Sequence, residues 1–136
     1  MGRILGLDPG TKRIGVAVSD ALQMTAQPGR ALDASASDLL GRITELAAEV
    51  DAERIVVGFP ISLNGNEGPA AQAARSFAAE VAEATGLPVE LQDERFSTAT
   101  AERVLVEAGL RRSRRRRVRD GVAAAVFLQA YLDGRR

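Results

Sequence analysis

Cysteine and histidine are both missing from this 136-residue sequence. Without cysteine there can be no disulfide, no thiolate metal site and no cysteine nucleophile. Without histidine there is no Ser-His-Asp triad, and the usual zinc and non-haem iron sites lose their commonest ligand. Tryptophan is absent too, and the aromatics are only Phe59, Phe77, Phe96, Phe127 and Tyr131. Extensive stacking on nucleic-acid bases is therefore not expected. No apolar run approaches the roughly 20 residues that span a membrane. Arg3 and Asp8 interrupt the first apolar stretch, which excludes reading it as a signal peptide. The expectation is a cytoplasmic protein with no membrane partner. Acid–base or metal chemistry is left to Asp and Glu, whose hard oxygens suit Mg²⁺ or Mn²⁺.

Net charge is also absent, because 18 basic residues match 18 acidic ones. The balance hides an asymmetry. Residues 111–119 (RRSRRRRVR) carry seven arginines and no acid, so the remaining 127 residues hold 11 basic and 18 acidic side chains, a net of −7. The molecule is a mildly acidic body with one concentrated cationic segment.

No repeat and no long Pro/Gly/Ser linker divides the chain, so residues 1–136 read as one domain, large enough to bury a core without staples. The run from Arg3 to Leu7 ends at Asp8-Pro9-Gly10, a turn signal, and a second run follows from Ile14 to Ser19. Alternation sends Ile14, Val16 and Val18 to one side and Gly15, Ala17 and Ser19 to the other. Together the two runs predict a hairpin. A weaker third strand over Met24–Leu32 is interrupted by Pro28, which suits a sheet edge. Ser35 or Ser37 is a candidate cap for a helix over about 36–50, with Leu39, Ile43, Leu46 and Val50 at helical spacing. RIVVG (54–58) predicts a buried strand. Pro69 opens and Gly86 closes an alanine-rich helix with Ala70, Ala73, Phe77, Val81 and Ala84 on one face. Pro88–Gln92 is the fifth strand. Ser97 caps a helix closed by Gly109. A last helix is expected over about 117–132, with Val118, Val122, Ala125, Val126 and Leu132 toward the core. This order gives an α/β fold: a mixed five-stranded sheet, a leading antiparallel hairpin and then parallel strands, flanked by helices.

Three elements bring acids to their ends. Asp8 closes the first strand and shares a face with Ile4 and Gly6. Asp93 and Glu94 close the fifth; adjacent residues face opposite sides, so one of the two enters a site. Asp120 lies near the start of the last helix among Gly121, Ala123 and Ala124, small neighbours that let a helix approach a sheet closely. Each acid has an ordinary explanation as a turn residue, a solvated loop acid or a favourable charge near a helix start. Together they match the need of phosphodiester hydrolysis, in which carboxylates hold two divalent ions about 4 Å apart around the scissile phosphate.

The hairpin turn adds Thr11, Lys12 (the sole lysine) and Arg13, a hydroxyl and two cations beside backbone N–H groups that could hold phosphate. Arg95 follows the Asp93-Glu94 pair. Arg111, Arg112, Arg114, Arg115, Arg116, Arg117 and Arg119 repel one another, and such a segment usually meets a polyanion, for which the guanidinium fork is suited. Because the segment abuts Asp120, a nucleic-acid backbone held there would pass the acids. Contact would be mainly to backbone and shape.

ILGLDPGTKRIGVAVSD (4–20), IVVGFPISLNGNEGPAA (55–71), VELQDERFST (89–98) and RDGVAAAVFLQAYLD (119–133) resemble the four ordered blocks of the YqgF/RuvX family, nearly end to end. The resemblance implies an RNase H-like fold related to the Holliday-junction resolvase RuvC. It implies a bacterial cytoplasmic nuclease for the 5′ end of pre-16S rRNA, with some members assigned to branched DNA. By motif, the catalytic and metal-binding acids would be Asp8, Glu94 and Asp120, with Asp93 the alternative to Glu94.

The leading expectation is a two-metal nuclease using Mg²⁺ or Mn²⁺ on structured RNA such as pre-rRNA, or on branched or single-stranded DNA. Its rivals are a junction-resolvase-like endonuclease, a non-catalytic RNA-binding assembly factor whose arginines are the function, and a nucleotide-binding ATPase or kinase suggested by the Asp8-Pro9-Gly10-Thr11 turn. A monomer or a homodimer is compatible with the sequence; junction cleavage would need two sites.

Overall fold

A computed structural model describes residues 2–10, 12–59, 68–93 and 112–135, with backbone alone at 93 and 112–121. The strands are β1 (Arg3–Pro9), β2 (Arg13–Ser19), β3 (Ala26–Pro28), β4 (Leu32–Asp33), β5 (Ala52–Phe59) and β6 (Val89–Asp93). The helices are α1 (Leu39–Glu49), α2 (Pro69–Thr85) and α3 (Arg112–Gly134). The expected helix over 97–109 lies outside the described residues.

The sheet order is β3-β2-β1-β5-β6, with β4 also on β2. β1 and β2 form the expected antiparallel hairpin, and β1, β5 and β6 run parallel. The third strand expected over 24–32 is instead two short strands. β3 pairs with Val18 and its neighbours, and β4 with Arg13 and Ile14. Among the described residues the sheet therefore has six strands in five positions across. Pro28 is tolerated in β3 because it lies on the last strand of the sheet order, and beyond it the Gly29 N–H still donates to the Val16 carbonyl at 2.7 Å.

Alternation sorts the strands between two layers. Leu5, Leu7, Ile14, Val16, Ile55 and Val57 pack with Ile43 and Ala47 of α1 and Ala78 and Val81 of α2. Ile4, Ala17 and Val56 pack on the other side with Ala124, Phe127, Leu128, Tyr131 and Leu132 of α3. Burying Val, Leu, Ile or Phe on such a face is worth about 1.5–3 kcal/mol per side chain. Close approach of α3 is permitted by Gly6, where an added Cβ would lie 3.3 Å from Leu128.

Several details correct the sequence reading. Asp38 is the residue at the N-cap of α1, without a side-chain cap bond. Ser35 serves a different turn, its N–H and hydroxyl both donating to Asp33 at 2.9 and 2.7 Å. α2 begins at Pro69 and ends before Gly86 as expected, but its buried stripe is Ala71, Ala74, Ala78 and Val81. Ala70, Ala73 and Ala84 are exposed. α3 starts at Arg112 rather than near 117, so most of the arginine segment is helix. Its buried face is Ala123, Ala124, Phe127, Leu128, Tyr131 and Leu132, while Val122, Ala125 and Val126 are only half-buried.

Candidate active site at the end of the central strands

Asp8 sits near the carboxyl end of β1, half-buried. Its neighbour in the antiparallel ladder is Gly15. One residue past the Leu7–Val57 pair on β5 comes Gly58, which is itself level with Gln92 of β6. The row across the sheet is thus Gly15, Asp8, Gly58, Gln92. By parity the row belongs to the side of Ile4, Ala17 and Val56, which is the side α3 covers. Both strands flanking Asp8 therefore present glycine in its row. The sequence reading found Asp8 and its face but missed Gly58. The missing signal was register: only strand pairing puts Gly58 beside Asp8.

Asp93 ends β6 opposite Phe59. Phe59 belongs to the α2 side, packed with Ala71 and Ala74, and the guanidinium carbon of Arg75 lies 4.5 Å from its ring centre. Position 93 has the strand parity of Val89 and Leu91, which pack toward α1 and α2. Glu90, of opposite parity, accepts a hydrogen bond from Tyr131 of α3. Glu94 lies outside the described residues, as do Thr11, Arg95 and Arg111.

Asp120 lies in α3. It is four, seven and eleven residues before Ala124, Phe127 and Tyr131, so it belongs to the helical stripe those buried residues form. Arg112, Arg114, Arg115, Arg116, Arg117 and Arg119 occupy the start of the same helix, whose first turn has no acid. Among the described residues no three acids come together in a group that could hold a metal ion.

Lys12 lies in the β1–β2 turn, where its carbonyl accepts from the Ala34 N–H at 3.0 Å. An added Cβ at Gly10 would lie 2.6 Å from the Arg13 carbonyl oxygen, so only glycine fits the turn that follows Asp8. Arg13 stands opposite Asp33 on β4. The Ser35 hydroxyl and N–H, with a smaller contribution from Arg42, hold the Asp33 carboxyl below its ordinary range.

A mixed sheet led by a hairpin, with an acid at the end of its central strand and a helix carrying another across that face, defines the RNase H-like class. Two structures of Thermus thermophilus RuvC share the fold, one in complex with a Holliday junction substrate (TM-score 0.61, 18% identity, 99% of this chain and 96% of that one). The other superposes with a TM-score of 0.57 at 20% identity, covering 98% and 95%. The family model described as "RuvX: Holliday junction resolvase" matches residues 2–134, and the chain belongs to that family. A relative from Geobacillus kaustophilus (strain HTA426) is 50% identical over 98% of this chain and 99% of its own length. One from Symbiobacterium thermophilum (strain DSM 24528 / JCM 14929 / IAM 14863 / T) is 51% identical over 98% and 93%. Both are named, provisionally, pre-16S rRNA nucleases.

Proposed function

We propose that the chain is a metal-dependent nuclease that hydrolyses phosphodiester bonds in structured RNA, with the 5′ end of pre-16S rRNA as its substrate in the cytoplasm. The observation that carries this reading is Asp8, half-buried at the end of β1 and flanked by Gly15 and Gly58 on the side facing α3. The names of the full-length relatives favour rRNA over other substrates.

Asp8, Glu94 and Asp120 are the ligands of Mg²⁺ or Mn²⁺ in this reading. The resemblance of VELQDERFST (89–98) to the family block favours Glu94, with Asp93 the alternative. The donor set fits a hard divalent ion, since carboxylate oxygens are what such ions select and the chain has no histidine or cysteine to draw a softer metal. When bound, the ions supply Lewis acidity to attack on the phosphorus and departure from it. Asp8 would offer its carboxylate from a row in which both flanking strands carry glycine. Thr11, Lys12 and Arg13 hold a phosphate at the hairpin turn. Arg95, Arg111 and the arginines at the start of α3 hold the flanking backbone.

The family description and the shared RuvC fold favour a second reading, in which the same site cuts branched or single-stranded DNA. Two nicks in a junction would then require a dimer. The test is a parallel panel of pre-16S leader RNA, four-way junctions and single-stranded DNA with Mg²⁺, Mn²⁺ or EDTA. Asp8→Asn and Asp120→Asn should each abolish cleavage and leave nucleic-acid binding nearly intact, and retained cleavage in both would end the reading. Glu94→Gln should be inactive where Asp93→Asn is active. Junction cleavage without RNA cleavage selects DNA, and tight binding without turnover selects an assembly factor.

A further inference from the structure

α3 is tied by hydrogen bonds to both outermost strands of the sheet and by a notch to its centre. On one side, the Gln129 side chain accepts from the Ala26 N–H of β3 at 2.9 Å and donates to the Met24 carbonyl at 2.9 Å. On the other, the Tyr131 hydroxyl donates to Glu90 of β6 at 2.6 Å; Arg54 of β5 also bonds Glu90, and Arg135 donates to the Tyr131 oxygen at 3.2 Å. Between them Leu128 sits in the notch left by Gly6 on β1. Beside it Ala124, Phe127 and Leu132 pack with Ile4, Ala17 and Val56. Apolar burial is non-directional, whereas each of these hydrogen bonds is made at one placement of the helix.

We infer that Gln129 and Tyr131 are positioning residues for Asp120: by anchoring α3 to β3 and β6 they fix its slide and rotation against β1, which carries Asp8. The inference rests on the reading of Asp8 and Asp120 as metal ligands. Asp120 is eight residues from Leu128, about 12 Å of helix axis, and a slip of one residue would move it about 1.5 Å and turn it about 100°. Ligand placement tolerates only about 0.5 Å. The side-chain amide of Gln129 holds a backbone donor and a backbone acceptor together, which neither leucine nor glutamate can do.

The chain's lack of cysteine makes the test direct. Cysteines introduced at Glu83 in α2 and Ala130 in α3, both exposed and on helices of opposite layers, take a pair of spin labels. The distance distribution is then compared in the parent, Gln129→Leu and Tyr131→Phe. The expected result is a narrow parent distribution that broadens or shifts by about 1.5 Å or more in each variant. In the unlabelled proteins, kcat for RNA should fall about tenfold with KM unchanged, and the Mn²⁺ needed for half-maximal rate should rise. Gln129→Glu, which keeps the acceptor for Ala26, should lie between. Ile43→Val, a core change on the opposite layer, serves as the stability control and should keep the parent kcat. Unchanged distances in both variants would overturn the inference, as would altered distances with parental kcat. If the parent itself cleaves nothing with Mn²⁺, the site reading fails, and the spin-label distances still decide the anchoring.

Discussion

Tyr131 is the single tyrosine of a chain without tryptophan, so one phenol reports on the α3–sheet junction. Burial raises its pKa above the ordinary 10.0 more than any other cause, and the hydrogen bond to Glu90 and that carboxylate's charge raise it further. Arg135 and Arg54 oppose the shift. A raised pKa stabilises the fold while the phenol stays protonated. That contribution is full below pH 10.0 and is lost as pH rises through the folded-state value. A phenolate absorbance titration should place the native midpoint above 10.0 and return it close to 10.0 in denaturant. Glu90→Gln should lower the native midpoint only part way, because burial remains. A native midpoint at or below the denatured one would contradict the buried hydrogen bond.

At the scale of the element, α2 tests which face of a helix is buried. Ala74 is 1% exposed against Phe59 and Ala71, whereas Ala73, one residue earlier, is exposed. Ala74→Leu should overpack that contact and cost about 1–3 kcal/mol, while Ala73→Leu should stay within about 0.5 kcal/mol, both read by denaturant unfolding. Equal effects would reverse the assignment. The same helix shows what is legible in a sequence. Pro69 and Gly86 punctuate it because each acts locally, through a missing N–H and a missing side chain. Phe77 and Val81 do pack on the core, but Ala70, Ala73 and Ala84 were set on the wrong side because the eight alanines among its seventeen residues look alike on either side of the stripe. β1 and β2 alternate cleanly, so their faces, and the side on which Asp8 lies, could be read directly. What pairs with what was not legible: Gly58 comes beside Asp8, and Gln129 reaches β3, only through contacts between residues far apart in the chain. The start of α3 was placed five residues late because a run of like charges reads as a solvated loop, yet arginine is a good helix former.

For the whole molecule, neutrality is the sum of an acidic body and a cationic helix start. Six arginines, Arg112, Arg114, Arg115, Arg116, Arg117 and Arg119, lie within the first eight residues of α3. They repel one another and sit at the end of the helix where the peptide dipoles already concentrate positive charge. A phosphate backbone relieves both, whereas the remaining residues, net negative, repel it. Binding should therefore be local and strongly salt-dependent. With about five phosphate contacts, log affinity should fall against log salt with a slope near −4. Arg115→Ala combined with Arg119→Ala should reduce that slope by about 2, since each contact contributes about 0.9. Asp8→Asn should leave the slope unchanged, because Asp8 lies on β1 and not in the cationic segment. A slope near zero, or one indifferent to the arginine changes, would move the nucleic-acid surface elsewhere and leave the charge asymmetry of the chain without its partner.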